Sequence, residues 1–328
     1  MGSEVDVTVQ YMMHVPVGSP KALVVLFAGG RGNTGITGNA STGKVTAAGN
    51  NFLVRSAQLF AEQGYLTATI DRLSTGPASN SEFDQYRVSA SHAHDIVAVT
   101  SAVVDELGVA NLHEFLAGTS RGAISVVAQN MLGVGISLSS PVTSVSGDPA
   151  SLYVSRPDQP RLQPSFVTVP VHILAHRRDG CFVSTPAGAK KLHKDFKKAG
   201  VRSRFDKING GFELSTNLCR ARTFHGFLGI ETKAVKKITK RLDKILKELN
   251  KDFPGNNKPV ANAATVSTTA PVNIDLSLLT SDPDGDGLTY SLPHLESSRG
   301  APLSISGSVV AYTPIETGIT DGFVYVVS

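Results

Sequence analysis

The stretch HEFLAGTSRGAISVVAQNM, residues 113–131, decides the fold. Its apolar run Phe-Leu-Ala ends at Gly-Thr-Ser-Arg-Gly, and a helix-like run follows at once. Strand, Gly-x-Ser-x-Gly turn and helix in this order lift a serine hydroxyl clear of a sheet edge. Glycines two positions either side of Ser120 permit a turn too sharp for larger residues. The stretch predicts Ser120 as a nucleophile, with the N–H of Arg121 facing the reacting oxygen.

Strand-like and helix-like runs alternate on both sides of this turn. The expected strands are 5–10, 23–30, 65–70, 134–138, 167–176 and 201–208, and the expected helices are 51–63, 91–107, 190–199 and 231–253. The polar, Gly/Ser-rich segment 72–90 is predicted to be a loop overhanging the site, with His92 and His94 at the surface or rim. The alternation predicts an α/β fold, a mostly parallel sheet covered by helices on both faces.

A second Gly-rich loop, Ala-Gly-Gly-Arg-Gly-Asn-Thr-Gly at 28–35, follows the apolar run 23–27. No Gly-Lys-Ser/Thr follows closely, which argues against phosphate binding. Beside a serine turn, such a loop is better suited to binding an oxyanion. We expect backbone N–H groups near Gly30 and Arg31 to act together with that of Arg121.

A serine hydroxyl needs a base to remove its proton, and the base needs a carboxylate to orient it. Proteins with this turn place the three in the order serine, acid, histidine. Asp179, in a loop after a strand, and His225, in a loop before the last helix, fit that order. Other residues compete for these roles: Asp71 and Asp206 as the acid, and His172, His176 and His193 as the base.

Two cysteines flank the expected acid and base. Cys181 lies two residues after Asp179, and Cys219 lies six residues before His225. Their even number and these positions favour a disulfide over two buried thiols, and a disulfide implies an oxidising compartment. Closing this loop contributes roughly 4 kcal/mol in the chain-entropy estimate.

Charge divides the chain into two parts. Residues 263–328 carry one base and seven acids, a net charge of −6, which leaves +10 for the first 262 residues. The basic residues cluster on helix-like segments without interleaved aromatic residues, so nucleic-acid binding is not expected. No apolar run reaches the ~20 residues of a membrane helix, so no membrane partner is expected. The first ten residues lack the pattern of a signal peptide, although the disulfide predicts a secreted or periplasmic location.

Residues 20–253 resemble α/β-hydrolases, and among them the secreted bacterial esterases similar to dienelactone hydrolase or prolyl oligopeptidase. The matching stretches are FAGGRGNTG, NFLVRS, GTSRG, LAHRRDGC and the run from Cys219 to Phe227. Dienelactone hydrolases proper carry cysteine at the turn, so Ser120 points to ester hydrolysis. The family's His-Gly-Gly oxyanion motif is replaced here by Phe-Ala-Gly-Gly at 27–30.

The C-terminal part resembles the cadherin-like β-sandwich repeats of bacterial extracellular proteins, which share Asp-Pro-Asp-Gly-Asp and an Asp-x-Phe-x-Tyr ending. We therefore expect a hydrolase domain at 1–253, a linker at 254–270 and a small all-β Ig/cadherin-like module at 271–328 that continues beyond Ser328. Asp282, Asp284 and Asp286 either bind structural Ca²⁺ or form an Asp-Gly turn.

These patterns together predict a serine carboxylesterase that needs no cofactor and acts on a small-molecule or polymeric ester. Two alternatives stay open: a serine peptidase, and a non-catalytic adhesion or display protein with a vestigial hydrolase fold.

Overall fold

A computed structural model describes residues 8–39, 41, 44–75, 79–109, 112–143, 164–252 and 255–328. The strands are β1 (Val9–His14), β2 (Leu23–Phe27), β3 (Ile36–Asn39), β4 (Lys44–Ala47), β5 (Leu66–Leu73), β6 (Glu114–Thr119), β7 (Gly135–Ser139), β8 (Val171–His176), β9 (Ser203–Ile208), β10 (Val260–Ala261), β11 (Val272–Asp275), β12 (Thr280–Ser281), β13 (Tyr290–Ser291), β14 (Leu303–Ser306), β15 (Val309–Tyr312) and β16 (Val326–Val327). The helices are α1 (Phe52–Ala61), α2 (Asn80–Arg87), α3 (Ala90–Leu107), α4 (Gly122–Ala128), α5 (Pro186–Lys198) and α6 (Glu231–Asp252).

Seven strands form one sheet in the order β1-β5-β2-β6-β7-β8-β9. Only β1 runs antiparallel to its neighbour; the other pairs are parallel. The chain thus winds outward from the centre of the sheet, with helices as crossovers. This arrangement is the α/β-hydrolase fold, as the alternation of strand and helix runs predicted.

Both faces of the sheet are covered, which explains why its inner strands are continuous apolar runs. Helices α3, α4 and α5 pack on one face, and α1 and α6 pack on the other. The apolar stripe of α6 includes Val235, Ile238 and Leu242, all fully buried. Among the described helices, none combines the length and apolarity needed to cross a bilayer.

Several local expectations were wrong. The expected strand 5–10 overlaps β1 only at 9–10, because β1 continues to residue 14, and residues 5–7 lie outside the described part. The expected loop 72–90 contains α2, and the hairpin β3–β4 was not foreseen. Strand β5 continues to Leu73, beyond the expected end at residue 70, and so includes Asp71. His92 is buried, because α3 turns it against the Phe27 ring.

The C-terminal part is a separate all-β unit, as expected. Its strands form one three-stranded sheet, β11-β15-β14, and the pairs β10–β12 and β13–β16. Its small core contains Leu276, Leu303 and Val310. Strand β10 lies inside the segment expected to be a linker, and the proposed boundary at 253 lies outside the described residues.

Candidate active site

Ser120 stands at the turn between β6 and α4 with φ 55°, a left-handed conformation that is rare for a residue with a side chain. A Cβ at Gly118 would lie 2.3 Å from the Gly122 oxygen, and one at Gly122 would lie 2.2 Å from the Phe27 oxygen. The two glycines are therefore sterically required. The Ser120 N–H donates to Ser139 O at 3.0 Å, which ties the turn to β7.

Asp179 and His225 form a buried pair. Asp179 follows β8, His225 follows β9, and Asp179 Oδ2 lies 3.0 Å from His225 Nδ1. An ionised carboxylate only accepts hydrogen bonds, so Nδ1 carries the proton and Nε2 is left as the basic nitrogen. The other oxygen, Asp179 Oδ1, accepts the N–H of Cys181 at 2.9 Å. This pairing gives the imidazole the tautomer that a general base needs.

A short 3₁₀ turn, Phe224–Gly226, presents His225. Thr223 caps it by accepting the His225 N–H at 3.2 Å. A Cβ at Gly226 would lie 1.8 Å from Ala221 O, so only glycine fits after the histidine. Arg55, from the NFLVRS stretch, donates to Gly226 O at 2.8 Å. The turn is therefore held from several sides.

Ser184 was not singled out from the sequence, yet its Oγ lies 2.9 Å from His225 Nδ1 and its side chain is fully buried. It shares the Nδ1 position with Asp179 and so constrains the ring further. A serine five residues after the expected acid is a weak signal, because serine is common in loops.

A disulfide joins Cys181 and Cys219, as predicted, with 4.5 Å between their Cα atoms. It connects the loop of Asp179 to the loop that leads to His225. Both loops are thereby tied covalently within a few residues of the acid–base pair.

Two backbone hydrogen bonds connect the turn of Ser120 with the loop that carries Ser184. The Ser120 carbonyl accepts the N–H of Val142 at 3.2 Å, and the next residue, Thr143, donates to Val183 O at 2.8 Å, beside Ser184. Within the described residues no hydrogen bond joins the Ser120 hydroxyl to His225. Such bonds are often long without substrate and tighten when it binds.

The expected oxyanion loop approaches the serine closely. A Cβ at Gly29 would lie 2.8 Å from Thr119 O and 2.9 Å from Ser120 Cβ. Gly30 follows in a left-handed conformation, φ 58°, and Gly29 O accepts the N–H of Gly32. The backbone of 29–31 therefore turns tightly beside Ser120, with Gly30 and Arg31 as the expected donors and Arg121 at the start of α4.

Helix α2 supplies a charged cluster that sequence reasoning missed. Arg87 is 2% exposed and donates to Ala28 O at 2.8 Å and to Gly30 O at 3.2 Å. Asp84 pairs with Arg87 Nε at 3.7 Å and also with Arg121. One helix thus contacts both the Gly-rich loop 28–31 and Arg121, the residue after Ser120.

The rival carboxylates have other partners. Asp71 accepts the N–H groups of Thr34 and Ile36. Asp206 lies 3.3 Å from His172 and 3.0 Å from Arg241, and its side-chain interactions with His172 and Arg241 hold its pKa well below the usual range. Burial lowers the pKa of His172, which sits inside the sheet.

The two other histidines are also engaged elsewhere. His176 stacks on Phe224 with ring centroids 4.6 Å apart, and its Nε2 lies 2.9 Å from Gly210 O. His193, on α5, places Nδ1 2.9 Å from Ser203 Oγ on β9. Both therefore have structural partners away from Ser120.

The three C-terminal aspartates form a turn. Asp282 Oδ1 accepts the N–H groups of Asp284 and Asp286, while Asp284 binds Asn257. In the described part of the chain no group of His, Cys, Asp or Glu is arranged to hold a metal ion. The Asp-Gly turn is therefore supported and the calcium site is not.

Comparison with known families gives one match. Residues 256–328 match the bacterial Ig domain family. The Ig-like part of the prediction is therefore confirmed. The matched range begins inside the segment expected to be a linker, in agreement with the pairing of β10 with β12. A search of curated proteins found no match.

Solved structures similar to this chain include three hydrolases. An α/β serine hydrolase homologue from Coxiella burnetii is 17% identical, with a TM-score of 0.43 over 76% of this chain and 98% of that one. Est1E from Butyrivibrio proteoclasticus, solved with ferulic acid, is 16% identical, with a TM-score of 0.43 over 72% of this chain and 95% of that one. An acylaminoacyl peptidase from Pyrococcus horikoshii is 13% identical, with a TM-score of 0.49 over 74% of this chain and 40% of that one. The fold assignment rests on the strand order and the serine turn.

Proposed function

We propose that the protein is a serine carboxylesterase with Ser120 as nucleophile, His225 as general base and Asp179 as the orienting acid. The observation that carries this proposal is the buried Asp179–His225 pair, 3.0 Å apart, and the left-handed turn of Ser120 supports it. All three residues follow the carboxyl ends of parallel strands, where hydrolytic sites of open α/β sheets lie.

In the proposed reaction Ser120 Oγ attacks the ester carbonyl while His225 Nε2 takes the hydroxyl proton. Asp179 stabilises the imidazolium that forms. The N–H of Arg121, with those of Gly30 and Arg31, holds the tetrahedral oxyanion. The imidazolium then protonates the leaving alcohol, and water, activated by His225, releases the acid from the acyl-enzyme.

The surroundings of the disulfide support an apolar ester, either a short acyl ester or an exposed polyester chain. Four large apolar side chains on the two joined loops are solvent-exposed: Phe182, Phe212, Leu214 and Leu218. Phe182 and Leu218 directly adjoin the bridged cysteines. We propose that these side chains form a contact surface for the substrate.

The disulfide and the Ig-like module support a secreted or periplasmic location, because disulfides persist in oxidising compartments. In that setting we propose that the module anchors the enzyme near an insoluble substrate.

Turnover of p-nitrophenyl esters of graded acyl length, of model polyesters and of a peptide library tests the proposal. We expect ester hydrolysis, its loss in Ser120→Ala, and labelling of the wild type at Ser120 by a fluorophosphonate. Preferred cleavage of peptides would favour the peptidase. Absence of labelling would indicate an inert display protein.

A further inference from the structure

The C-terminal module contacts the hydrolase at a buried point. His294 Nε2 lies 2.9 Å from Gln129 Oε1, and the two side chains are 4% and 0% exposed. Two further hydrogen bonds cross the same interface: Ser91 Oγ to Ser298 O at 2.8 Å, and Lys258 Nζ to Leu112 O. The module is therefore docked on the face formed by α3 and the end of α4.

The Gln129 amide has a defined orientation. Its Nε2 lies 3.1 Å from two backbone carbonyls, Arg87 O and Ser89 O. Carbonyl oxygens only accept, so the amide nitrogen faces them and the amide oxygen faces His294. His294 Nε2 consequently carries a proton and donates it. Without this donor, a buried amide oxygen loses its partner.

Gln129 in turn holds the end of α2. Arg87 and Ser89 lie at the C-terminus of that helix, where carbonyls lack helical partners. The Arg87 side chain then reaches back to Ala28 O and Gly30 O, and also to Ser125 Oγ at 2.7 Å.

The orientation of these carbonyls determines where the N–H groups of the loop point. All described peptide bonds are trans, so each N–H points opposite to the carbonyl of its own peptide unit. By drawing Ala28 O and Gly30 O towards α2, Arg87 turns the N–H groups of Gly29 and Arg31 away from it. Of these two groups, the N–H of Arg31 is one of the proposed oxyanion donors, and Gly29 lies against Ser120.

We propose that the C-terminal module positions the oxyanion loop through the hydrogen-bonded chain His294–Gln129–Arg87. Arg87 is then a positioning residue, and the module contributes to catalysis by stabilising the orientation of the loop. The inference rests on the proposed esterase function, because it assigns the loop 28–31 to the oxyanion.

Three full-length variants test it. His294→Phe keeps a ring of similar size but removes the donor, His294→Gln restores a donor, and Ser91→Ala removes an interface contact outside the chain. With p-nitrophenyl acetate we expect His294→Phe to lower kcat about tenfold with KM within about twofold, since small displacements of an oxyanion site are costly. His294→Gln should recover most of the loss, and Ser91→Ala should match the wild type.

Hydrogen exchange of segment 28–32 supplies a readout independent of turnover. It should accelerate in His294→Phe and not in Ser91→Ala. Loss of kcat should also be non-additive with Arg87→Lys, because both changes act on one chain of contacts. If His294→Phe fails to fold, Gln129→Met interrupts the same chain.

The inference is overturned if His294→Phe keeps the kcat and the exchange rate of the wild type, or if Ser91→Ala loses as much kcat as His294→Phe. Additive losses of kcat in the double variant of His294→Phe and Arg87→Lys would also overturn it. If His294→Phe accelerates exchange of segment 28–32 as expected but the wild type hydrolyses no ester, the proposed function is removed, while the link between module and loop stands.

Discussion

Replacing Cys181 and Cys219 together by alanine removes the bridge that ties the acid loop to the base loop. The bridge spans 38 residues of sequence. In the chain-entropy model, opening a loop of that length lowers the free energy of unfolding by about 4 kcal/mol. This is a large part of the 5–15 kcal/mol typical of a folded domain, so we expect a folded but clearly weakened protein.

The same change should affect catalysis. Asp179 stays attached through its hydrogen bond to the Cys181 N–H, which is a backbone contact. The relative position of the Asp179 and His225 loops, however, loses its covalent restraint. Because the pair must keep its geometry in the transition state, we expect kcat to fall about tenfold while KM changes little.

Denaturant unfolding followed by circular dichroism, together with kcat and KM on a p-nitrophenyl ester, measures both effects. Phe182→Ala is a matched control, because Phe182 is 76% exposed beside the bridge and leaves it intact. Thiol titration of the wild type should find no free cysteine. A loss of stability below about 1 kcal/mol, or free thiols in the wild type, would refute the reasoning.

Three further predictions concern single positions. Asp179→Asn should keep the fold but lower kcat about 10⁴-fold, because the imidazole loses the carboxylate that sets its tautomer; circular dichroism and kcat check this. Gly226→Ala should destabilise the protein by more than about 3 kcal/mol in thermal unfolding, because the new Cβ meets Ala221 O, whereas Gly38→Ala, in open space, should stay within about 0.5 kcal/mol. The pKa of Asp206 lies below its unfolded value, so its carboxylate stabilises the fold above pH ~4, and this contribution is lost as the pH falls. Asp206→Asn should therefore destabilise at pH 7, with a difference from wild type that shrinks towards pH 2; an unchanged difference would contradict the assignment.

Patterns with strict local requirements were readable in the sequence. The turn around Ser120 needs glycine at both flanking positions because backbone atoms occupy the space, and this requirement appears as a short motif. Asp179 and His225 could be selected by chain order and by their positions after strands. Continuous apolar runs revealed the inner strands, since a sheet covered on both faces buries the side chains of its central strands.

Helix α2 was not predicted from the sequence, because its residues are polar and its hydrophobic pattern is weak. A signal was nevertheless present: Ser79 and Glu82 form a capping box, each side chain accepting the backbone N–H of the other. The capping box predicts where a helix begins but not that its last residue, Arg87, becomes buried. That burial depends on tertiary contacts with segments 28–30 and 125–129, which lie far apart in sequence.

The charged cluster on α2 has a geometric rather than a stabilising rationale. Burial raises the pKa of Asp84 against the opposing effect of Arg121 and Arg87, and burial lowers the pKa of Arg87 to about 10, so the guanidinium remains charged at neutral pH. Desolvating such groups costs as much as their attraction returns, and well-packed apolar residues would serve stability equally well. An apolar side chain, however, cannot hold two carbonyls of the 28–30 loop in one orientation. The planar guanidinium can, because its donors are fixed relative to one another. We therefore expect the cluster to contribute to the reaction more than to the free energy of folding.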